Sequence, residues 1–293
     1  LSDIVVRLTK SSNNNQLPKV EFEDIIAGEG RLNKDISRKF DDRKGTLFEP
    51  DNILYGKLRP YLKNWLFSDF KGIALGDFWV FKSKNSEPKF VYSLIQADNY
   101  QRVANDTSGT KMPRSDWKKV SSSNFSIPTS LEEQQKIGSF FKQLDDTISL
   151  HQRKLDLLKE QKKGYLQKMF PKNGEKVPEL RFAGFADDWE ERKLSDIADR
   201  FDNLRVPITA SDRKPGDTPY YGANGIQDYV EGFTHNGEFI LVAEDGANDL
   251  KNYPVQYVNG KVWVNNHAHV LQGKKTITDN KFLMNAIKNF NIE

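Results

Sequence analysis

The sequence contains no cysteine among its 293 residues. A disulfide framework and a metal cluster held by thiolates are therefore excluded, and the composition fits a reducing compartment. No apolar run approaches the roughly 18 to 20 residues that a membrane-spanning helix needs, and the mean hydropathy is −0.70. We therefore expect a soluble, cytoplasmic protein with no membrane contact.

The sequence also has little net charge, because 44 basic residues are balanced by 41 acidic ones and leave a net charge of +3. This balance does not by itself indicate nucleic-acid binding, so that inference depends on local clusters of basic residues. The length leaves room for about two domains, and 12% aromatic residues can fill a core in each.

Two stretches of the chain open with the same residues. Leu1-Ser2-Asp3-Ile4 is followed by Arg7, and Leu194-Ser195-Asp196-Ile197 is followed by Arg200. After each opening, short apolar runs alternate with turn signals, and we predict strands at 52–56, 76–81, 219–221, 238–242, 261–264 and 267–272. Residues 89–102 indicate a short helix. The predicted fold class is α+β. We expect the second unit to lack a segment equivalent to the one that ends the first unit.

A long helix is predicted from Leu131 to about Met169. Its start signal is Ser130 as N-cap with Glu133 three residues later, the spacing of a capping box. Steps of four and three residues then alternate along a coiled-coil seam formed by Ile137, Phe141, Leu144, Ile148, His151, Leu155, Leu158, Lys162, Tyr165 and Met169.

The strict alternation favours a coiled coil over a lone amphipathic helix, whose apolar stripe is wider and repeats every 3.6 residues. His151 and Lys162 interrupt the seam and either set its register or turn outward. We predict four segments, namely 1–128, 129–171, a linker at 172–187 and 188–293.

Motifs for catalysis are weak. Gly28-Glu29-Gly30 lacks the third glycine and the Lys-Ser/Thr of a phosphate cradle. His267 and His269 share one face of a predicted strand, but no third metal ligand is evident, so we interpret them as structural or DNA-facing. We predict no catalytic residue and no metal site.

Two segments of the first unit favour DNA binding. Residues 55–65 interleave aromatic residues with Lys57, Arg59 and Lys63, and residues 107–115 combine small hydroxyl residues and glycine with Thr110, Lys111 and Arg114. A half-buried strand end explains the first segment equally well. In the second unit, Tyr221, Asn224 and His267 are the candidates, although an ordinary Asn-Gly turn explains 220–225 almost as well.

Ile127-Pro128-Thr129-Ser130, Glu132 to Ile137 and Leu166 to Phe170 together resemble the central conserved region of type I restriction-modification specificity subunits. Residues 180–189 and Lys193-Leu194 resemble the start of the second target recognition domain of that family. The resemblance covers nearly the whole chain, and its most specific part is the helix with its flanks. The chain departs from the family pattern by beginning just inside the first domain and stopping inside the second.

The resemblance implies a non-catalytic subunit with two target-recognition-type globular domains joined by a long coiled-coil helix. It also implies recognition of a bipartite target in double-stranded DNA. The seam would pair with a second conserved helix, which lies outside this sequence. The helix pair would dock two methyltransferase subunits, which bind S-adenosylmethionine, and restriction/translocase subunits, which use ATP and magnesium. No cofactor is expected in this chain. The alternative is a coiled-coil scaffold that assembles partners without binding DNA.

Overall fold

The computed structural model describes residues 1–37, 41–107, 111–172, 174–249 and 253–289. Its contacts divide the chain into two compact units, Leu1–Lys154 and Leu155–Glu293. Each unit combines mainly antiparallel sheets with separate helices, so the α+β prediction is confirmed. The predicted segment boundaries remain predictions, since the long helix crosses the division between the units.

The described residues of unit 1 form two four-stranded sheets and one two-stranded ribbon. The first sheet has the order β1-β10-β7-β8 and is antiparallel, the second has the order β2-β6-β9-β3 with β3 parallel to β9, and β4 pairs with β5. The strands are β1 Val5–Leu8, β2 Ser11–Ser12, β3 Lys19–Val20, β4 Ile25–Ile26, β5 Arg31–Leu32, β6 Gly45–Phe48, β7 Ile53–Gly56, β8 Trp65–Phe67, β9 Gly72–Ala74 and β10 Phe78–Ser83.

Strand β7 shows how the first sheet of unit 1 is buried on both faces. Ile53 and Tyr55 lie in one hydrophobic cluster and Leu54 lies in the other, because successive side chains of a strand point to opposite faces. Helices α1 Pro88–Gln96, α2 Asp98–Ala104 and α3 Trp117–Ser122 contribute to the first of these clusters.

The prediction of one continuous helix over residues 89–102 is wrong, because the structure has two helices there. Ala97 has extended backbone angles (φ −67°, ψ 148°) and separates α1 from α2. The break lets Ile95 and Tyr100 both reach the core, where each is fully buried. The gain from burying both side chains outweighs the helical hydrogen bonds that are lost at the break.

Helix α4 runs from Leu131 to Met169, as predicted. The hydroxyl of Ser130 accepts a hydrogen bond from the Glu133 N–H at 3.4 Å, which confirms Ser130 as the capping residue. Among the described residues every other helix has ten residues or fewer. None of the described helices has the length and apolar character that crossing a membrane requires.

The first turns of α4 are anchored on unit 1 by Gln134, which is 2% exposed. Its side-chain oxygen accepts from the Ser86 hydroxyl (2.6 Å) and the Glu87 N–H (3.1 Å), and its amide nitrogen donates to the Pro128 carbonyl (2.8 Å). One turn later Gly138 lies against α1, close to the backbone of Phe90. The heptad pattern did not single out either residue.

Unit 2 contains helix α5 Leu194–Ile197, a six-stranded sheet and helix α6 Asn280–Asn289. The sheet has the order β11-β16-β14-β15-β12-β13 and is antiparallel except between β12 and β15. Its strands are β11 Ala198–Arg200, β12 Pro215–Gly222, β13 Gly225–Val230, β14 His235–Ala243, β15 Val255–Val264 and β16 Ala268–Gly273, so the four strands predicted in this unit are confirmed.

The repeated Leu-Ser-Asp-Ile openings adopt similar local structures in the two units. Each forms a single turn, and a strand at the edge of its sheet follows. The carbonyl of Ile4 accepts from the Lys84 N–H at 2.8 Å, and that of Ile197 accepts from the Lys274 N–H at 2.9 Å. In each unit the residue that donates this bond is followed along the chain by a helix, which is α1 after Lys84 and α6 after Lys274. The sequence repeat is therefore also a structural one.

Gly138→Ala should destabilise unit 1, although alanine favours a helix by about 1 kcal/mol. An added Cβ would lie 2.5 Å from the Phe90 nitrogen and 2.7 Å from the Lys89 carbonyl carbon. We expect a loss of about 1–3 kcal/mol in the free energy of unfolding, measured by denaturant titration. Gly164→Ala is the matched control, since nothing lies within 4 Å of its Cβ position. A gain in stability for both variants would contradict this packing.

Candidate nucleic-acid interface

A cluster of basic side chains forms in unit 1 where three segments meet. Lys57 N–H donates to the Asp77 carbonyl (2.9 Å), Ser115 N–H donates to the Lys57 carbonyl (2.8 Å), and Arg59 N–H donates to the Pro113 carbonyl (2.7 Å). These bonds bring together the two segments that the sequence proposed for DNA binding. We call Lys57, Arg59, Lys63, Lys111 and Arg114 the basic cluster.

The carboxylate of Asp77 connects two members of the basic cluster. Its oxygens lie 3.4 Å from Lys57 Nζ and 3.1 Å from Arg114 Nη2. Burial raises the pKa of Asp77, but Arg114 and Lys57 outweigh burial and hold that pKa below its ordinary value. Asp77 therefore stays ionised at neutral pH. Sequence reasoning missed it, because only the paired strands bring residue 77 beside residues 57 and 114.

Arg59 and Lys63 flank a short 3₁₀ turn formed by Pro60–Leu62. Both residues have left-handed backbone angles, with φ 48° for Arg59 and 56° for Lys63. Such angles are uncommon outside glycine and cluster at functional sites. The turn is pinned where the Lys63 carbonyl accepts from the Gly28 N–H at 2.9 Å.

Exposed apolar side chains accompany the cations. Tyr61, Leu62 and Met112 are all exposed, and they lie in the same two segments as the basic cluster. Lys111 is also exposed, and Thr110 lies outside the described residues. The surface thus combines positive charge with flat and apolar groups, which suits contact with phosphates, sugars and base edges.

In unit 2, hydrogen bonds connect the segments that contain the three predicted residues, Tyr221, Asn224 and His267. The Asn265 N–H donates to the Tyr221 carbonyl (3.1 Å), and the Asn265 side chain accepts from the His267 N–H (2.8 Å). His267 Nδ1 lies 2.6 Å from an oxygen of Asp245. Asn224 donates to the Gly246 carbonyl at 2.8 Å.

Asn224 lies with Ala223 in the two-residue turn between β12 and β13, and Gly225 is the first residue of β13, paired with Gly222. The side-chain oxygen of Asn224 accepts from the Asn248 N–H at 2.9 Å, which leaves one amide hydrogen beyond those two bonds. Tyr221 packs against the core, and burial raises its pKa. Asn224 therefore holds the 244–248 loop, whatever else it contacts.

His269 belongs to an ion-pair network that the sequence did not reveal. Its Nδ1 lies 2.7 Å from Asp202, and potential ligand atoms of Asp202, Glu244 and His269 all lie within 4.8 Å of one another. Arg205 already contacts both carboxylates of this group. Since the Arg205 guanidinium already contacts both acids and offsets part of their charge, we add no metal to the prediction.

His235 lies in the core and bonds to the backbone next to Asp202, the first residue of this network. It is buried, its Nε2 lies 3.0 Å from the Phe201 carbonyl, and its Nδ1 lies 2.7 Å from the Thr234 hydroxyl. Burial lowers the pKa of His235 below its ordinary value. The neutral imidazole is thus the form that the folded unit favours.

Most of the predicted seam of α4 is exposed to solvent. Phe141, Leu144, Ile148, Leu155, Leu158 and Tyr165 are between 43% and 61% exposed. At the start of the seam, Ile137 and Phe141 line a groove of about 450 Å³ with Phe90 and Leu94 of unit 1.

The other end of the seam lines a second groove of about 800 Å³ within unit 2. Tyr165 and Met169 contribute to it, together with Phe182 and Phe282. In its wall the Phe170 ring packs on Phe282 and Trp189 at centroid distances of 5.6 and 5.9 Å. The helix therefore presents an apolar edge with a groove at each end.

Comparison with known proteins agrees with this arrangement. A family model, the type I restriction modification DNA specificity domain, matches residues 2–160 and 186–292. The chain belongs to this family. The resemblance to specificity subunits is thereby confirmed, and the interpretation as a non-catalytic DNA-recognition chain agrees with that family.

Two relatives carry the name of a specificity subunit. The chain is 46% identical over 120 residues to a putative type I restriction enzyme specificity subunit of Haemophilus influenzae, which covers 41% of this chain and 30% of that protein. It is 26% identical over 140 residues to the MjaVIII specificity subunit of Methanocaldococcus jannaschii, which covers 46% of this chain and 32% of that protein. The matches thus span about a third of each relative's length.

A solved structure shows the same fold. The crystal structure of the type I restriction-modification system S subunit from M. genitalium aligns with 99% of this chain and 75% of that chain, with a TM-score of 0.67 and 12% sequence identity. This likeness confirms two domains and a long helix as the architecture of the specificity-domain chain.

The buried His235 should make unit 2 less stable as the pH falls. Because its pKa is lowered on folding, the unfolded chain takes up a proton first, so stability is complete above about pH 6.5 and declines below it. Thermal unfolding between pH 7.5 and 5 measures this decline. His235→Gln should lose this component, and an unchanged pH profile in that variant would count against it.

Proposed function

We propose that this chain reads a bipartite DNA target, with unit 1 recognising one part and unit 2 the other. The observation that carries the proposal is the structural repeat: both units begin with the same turn and edge strand, and one specificity-domain model matches both. Two similar readers on one chain suit a target with two read parts and an unread spacer.

The basic cluster of unit 1 would bind the phosphate backbone. Lys57, Arg59, Lys63, Lys111 and Arg114 would supply up to five cations, and each neutralised phosphate releases counterions and strengthens binding. Asp77 would orient Lys57 and Arg114 before DNA arrives, which reduces the entropy lost on binding. The exposed Tyr61, Leu62 and Met112 would then contact sugars or the methyl groups of thymine.

In unit 2 the hydrogen-bonded loops would present Tyr221, Asn224 and His267 to the other half of the target. The remaining amide hydrogen of Asn224 suits an acceptor on a base edge. Asp245 holds the His267 ring in place, with 2.6 Å between a carboxylate oxygen and Nδ1. We therefore propose that unit 2 contributes more to base discrimination than to phosphate attraction.

The proposed partners follow from the family and from the exposed seam. A helix pair that includes α4 would dock two methyltransferase subunits and, through them, restriction/translocase subunits. S-adenosylmethionine would bind to the methyltransferase subunits, and ATP and magnesium to the translocase subunits, with no cofactor in this chain. The exposure of the seam supports docking, since apolar side chains repeated along a whole helix are typical of a binding face.

DNA footprinting of the chain, with methyltransferase subunits added, tests the bipartite proposal. Two protected blocks with an accessible spacer are expected, and one short continuous block would overturn the split target. Binding that is insensitive to salt, or that is absent with any duplex, would instead favour the scaffold alternative.

Lys111→Ala should weaken binding to every duplex and reduce the slope of log K against log salt by about one. Fluorescence anisotropy at several salt concentrations measures this slope. Lys84→Ala is the matched control, because residue 84 follows β10 at the end opposite Asp77, about 20 Å away at 3.3 Å per residue. Equal slopes for Lys111→Ala and the unaltered chain would show that Lys111 does not contact the phosphate backbone.

Alanine at both Phe141 and Leu144 should weaken association with methyltransferase subunits. Each loses a few kcal/mol of apolar burial if the seam is covered in the complex. Co-purification measures the effect, with Lys163→Ala as a control, since Lys163 is exposed and lies outside the seam. Full retention of the subunits by the double variant would argue against docking through this helix.

A further inference from the structure

A two-stranded ribbon lies beside the basic cluster of unit 1. Strands β4 and β5 pair antiparallel, with Ile26 opposite Arg31, and residues 27–30 connect them as the tip of the ribbon. The first three residues of the tip are exposed. The tip contains Gly28-Glu29-Gly30, the motif that lacks the features of a phosphate cradle, so its exposure calls for another explanation.

The base of the ribbon is fixed to the core of unit 1. Ile25 is buried in one hydrophobic cluster, and Leu32 on the opposite strand packs against the same cluster. The Asn33 N–H donates to the Asp24 carbonyl at 2.9 Å and closes the base. At the end of the tip, a Cβ added to Gly30 would overlap the Tyr92 hydroxyl. The ribbon is therefore held in place before any ligand arrives, which reduces the entropy lost on binding.

A hydrogen bond joins the tip to the basic cluster. The Gly28 N–H donates to the Lys63 carbonyl at 2.9 Å, and Lys63 ends the short turn that begins at Arg59. The tip is thus held next to two of the proposed phosphate-binding cations. A duplex whose phosphates contact these cations would lie within reach of the ribbon.

The dimensions of the ribbon suit the major groove of DNA. Paired strands lie about 4.8 Å apart, and the tip extends about 7 Å beyond Ile26 and Arg31 at roughly 3.3 Å per residue. The major groove is about 12 Å wide and about 8.5 Å deep and admits a two-stranded ribbon, whereas the minor groove is only about 6 Å wide. Gly28 has φ 78° and nothing within 4 Å of its Cβ position, so its backbone can approach a base edge closely.

The Arg31 guanidinium is directed toward the tip. Its Nε donates to Glu29 Oε2 at 2.6 Å, and the two side chains are 34% and 42% exposed. Within the described part of the chain, this is the one hydrogen bond that the guanidinium makes. Its two terminal nitrogens can therefore donate to a ligand, and paired donation from arginine to O6 and N7 of guanine is the commonest specific contact in the major groove.

We propose that the β4–β5 ribbon enters the major groove of the half-site that unit 1 recognises, where Arg31 donates to O6 and N7 of a guanine and Glu29 positions the guanidinium. This inference rests on the proposed DNA-reading function and adds to it the element, the groove and the base.

Selection from a library of random DNA duplexes, by the chain with methyltransferase subunits added, tests the proposal. The unaltered chain should enrich a sequence with a guanine at one position where Arg31→Gln accepts any base. On the enriched duplex, fluorescence anisotropy should show that Arg31→Gln binds roughly 5- to 150-fold more weakly, with a smaller loss on an unrelated duplex. Equal losses on both duplexes would indicate a phosphate contact and overturn base reading by Arg31.

Two further outcomes separate this inference from the proposed function. Failure of the unaltered chain to enrich any sequence overturns both of them. An enriched sequence that Arg31→Gln leaves unchanged overturns the role of the ribbon alone.

A duplex with 7-deazaguanine at that position tests the groove, because it lacks the N7 acceptor of the major groove. It should bind the unaltered chain more weakly than the guanine duplex, and it should bind Arg31→Gln as well as the guanine duplex does. Equal binding of both duplexes by the unaltered chain would overturn insertion into the major groove.

Lys71→Gln is the matched control for Arg31→Gln. Lys71 lies 2.7 Å from Glu49 in an ion pair of similar exposure, and it follows β8 at the end opposite Lys63. It should keep the preference for guanine, and circular dichroism verifies that each variant is folded.

The positioning role of Glu29 is tested by two variants. Glu29→Gln keeps an oxygen that accepts from Arg31 and should retain the preference for guanine, whereas Glu29→Ala should reduce it. An undiminished preference in Glu29→Ala would show that Arg31 needs no such support.

Discussion

The close approach of α4 to unit 1 is the constraint on which the rest of the molecule depends. It requires a residue without a side chain at Gly138 and a fully bonded amide at Gln134. Through these two residues, packing and hydrogen bonds hold the first turns of α4 against unit 1. The apolar edge of the helix can then face solvent, because the anchor uses a different set of residues.

The second constraint is electrostatic. In unit 1, Asp77 holds Lys57 and Arg114 without cancelling the excess positive charge of the basic cluster. In unit 2, the carboxylates of Asp202, Glu244 and Asp245 are bonded to Arg205, His267 and His269. A basic surface suits phosphate attraction, and fixed hydrogen bonds suit the positioning of side chains, so the two units would contribute differently to one binding event.

Elements whose information is local were predictable. The helix from Leu131 to Met169 follows from a capping residue and a heptad pattern, and four of the six strands described in unit 2 follow from apolar runs between turn signals. The break at Ala97 was not predictable, because the cost of interrupting α1 and α2 is local while the gain comes from the distant core. The candidate site was half predictable: its cations stand out in the sequence, whereas Asp77 does not.

The sequence by itself determined the class of the protein, the long helix with its exposed seam, the repeat and the identity of the basic residues. These depend on periodicity and residue type, which a chain carries without folding. Only the tertiary structure decided that residues 57, 77 and 114 meet, that Arg205 occupies the centre of an acidic group, and that Gln134 and Gly138 anchor α4. Such contacts join residues up to tens of positions apart, and they form only where sheet register and core packing bring those positions together.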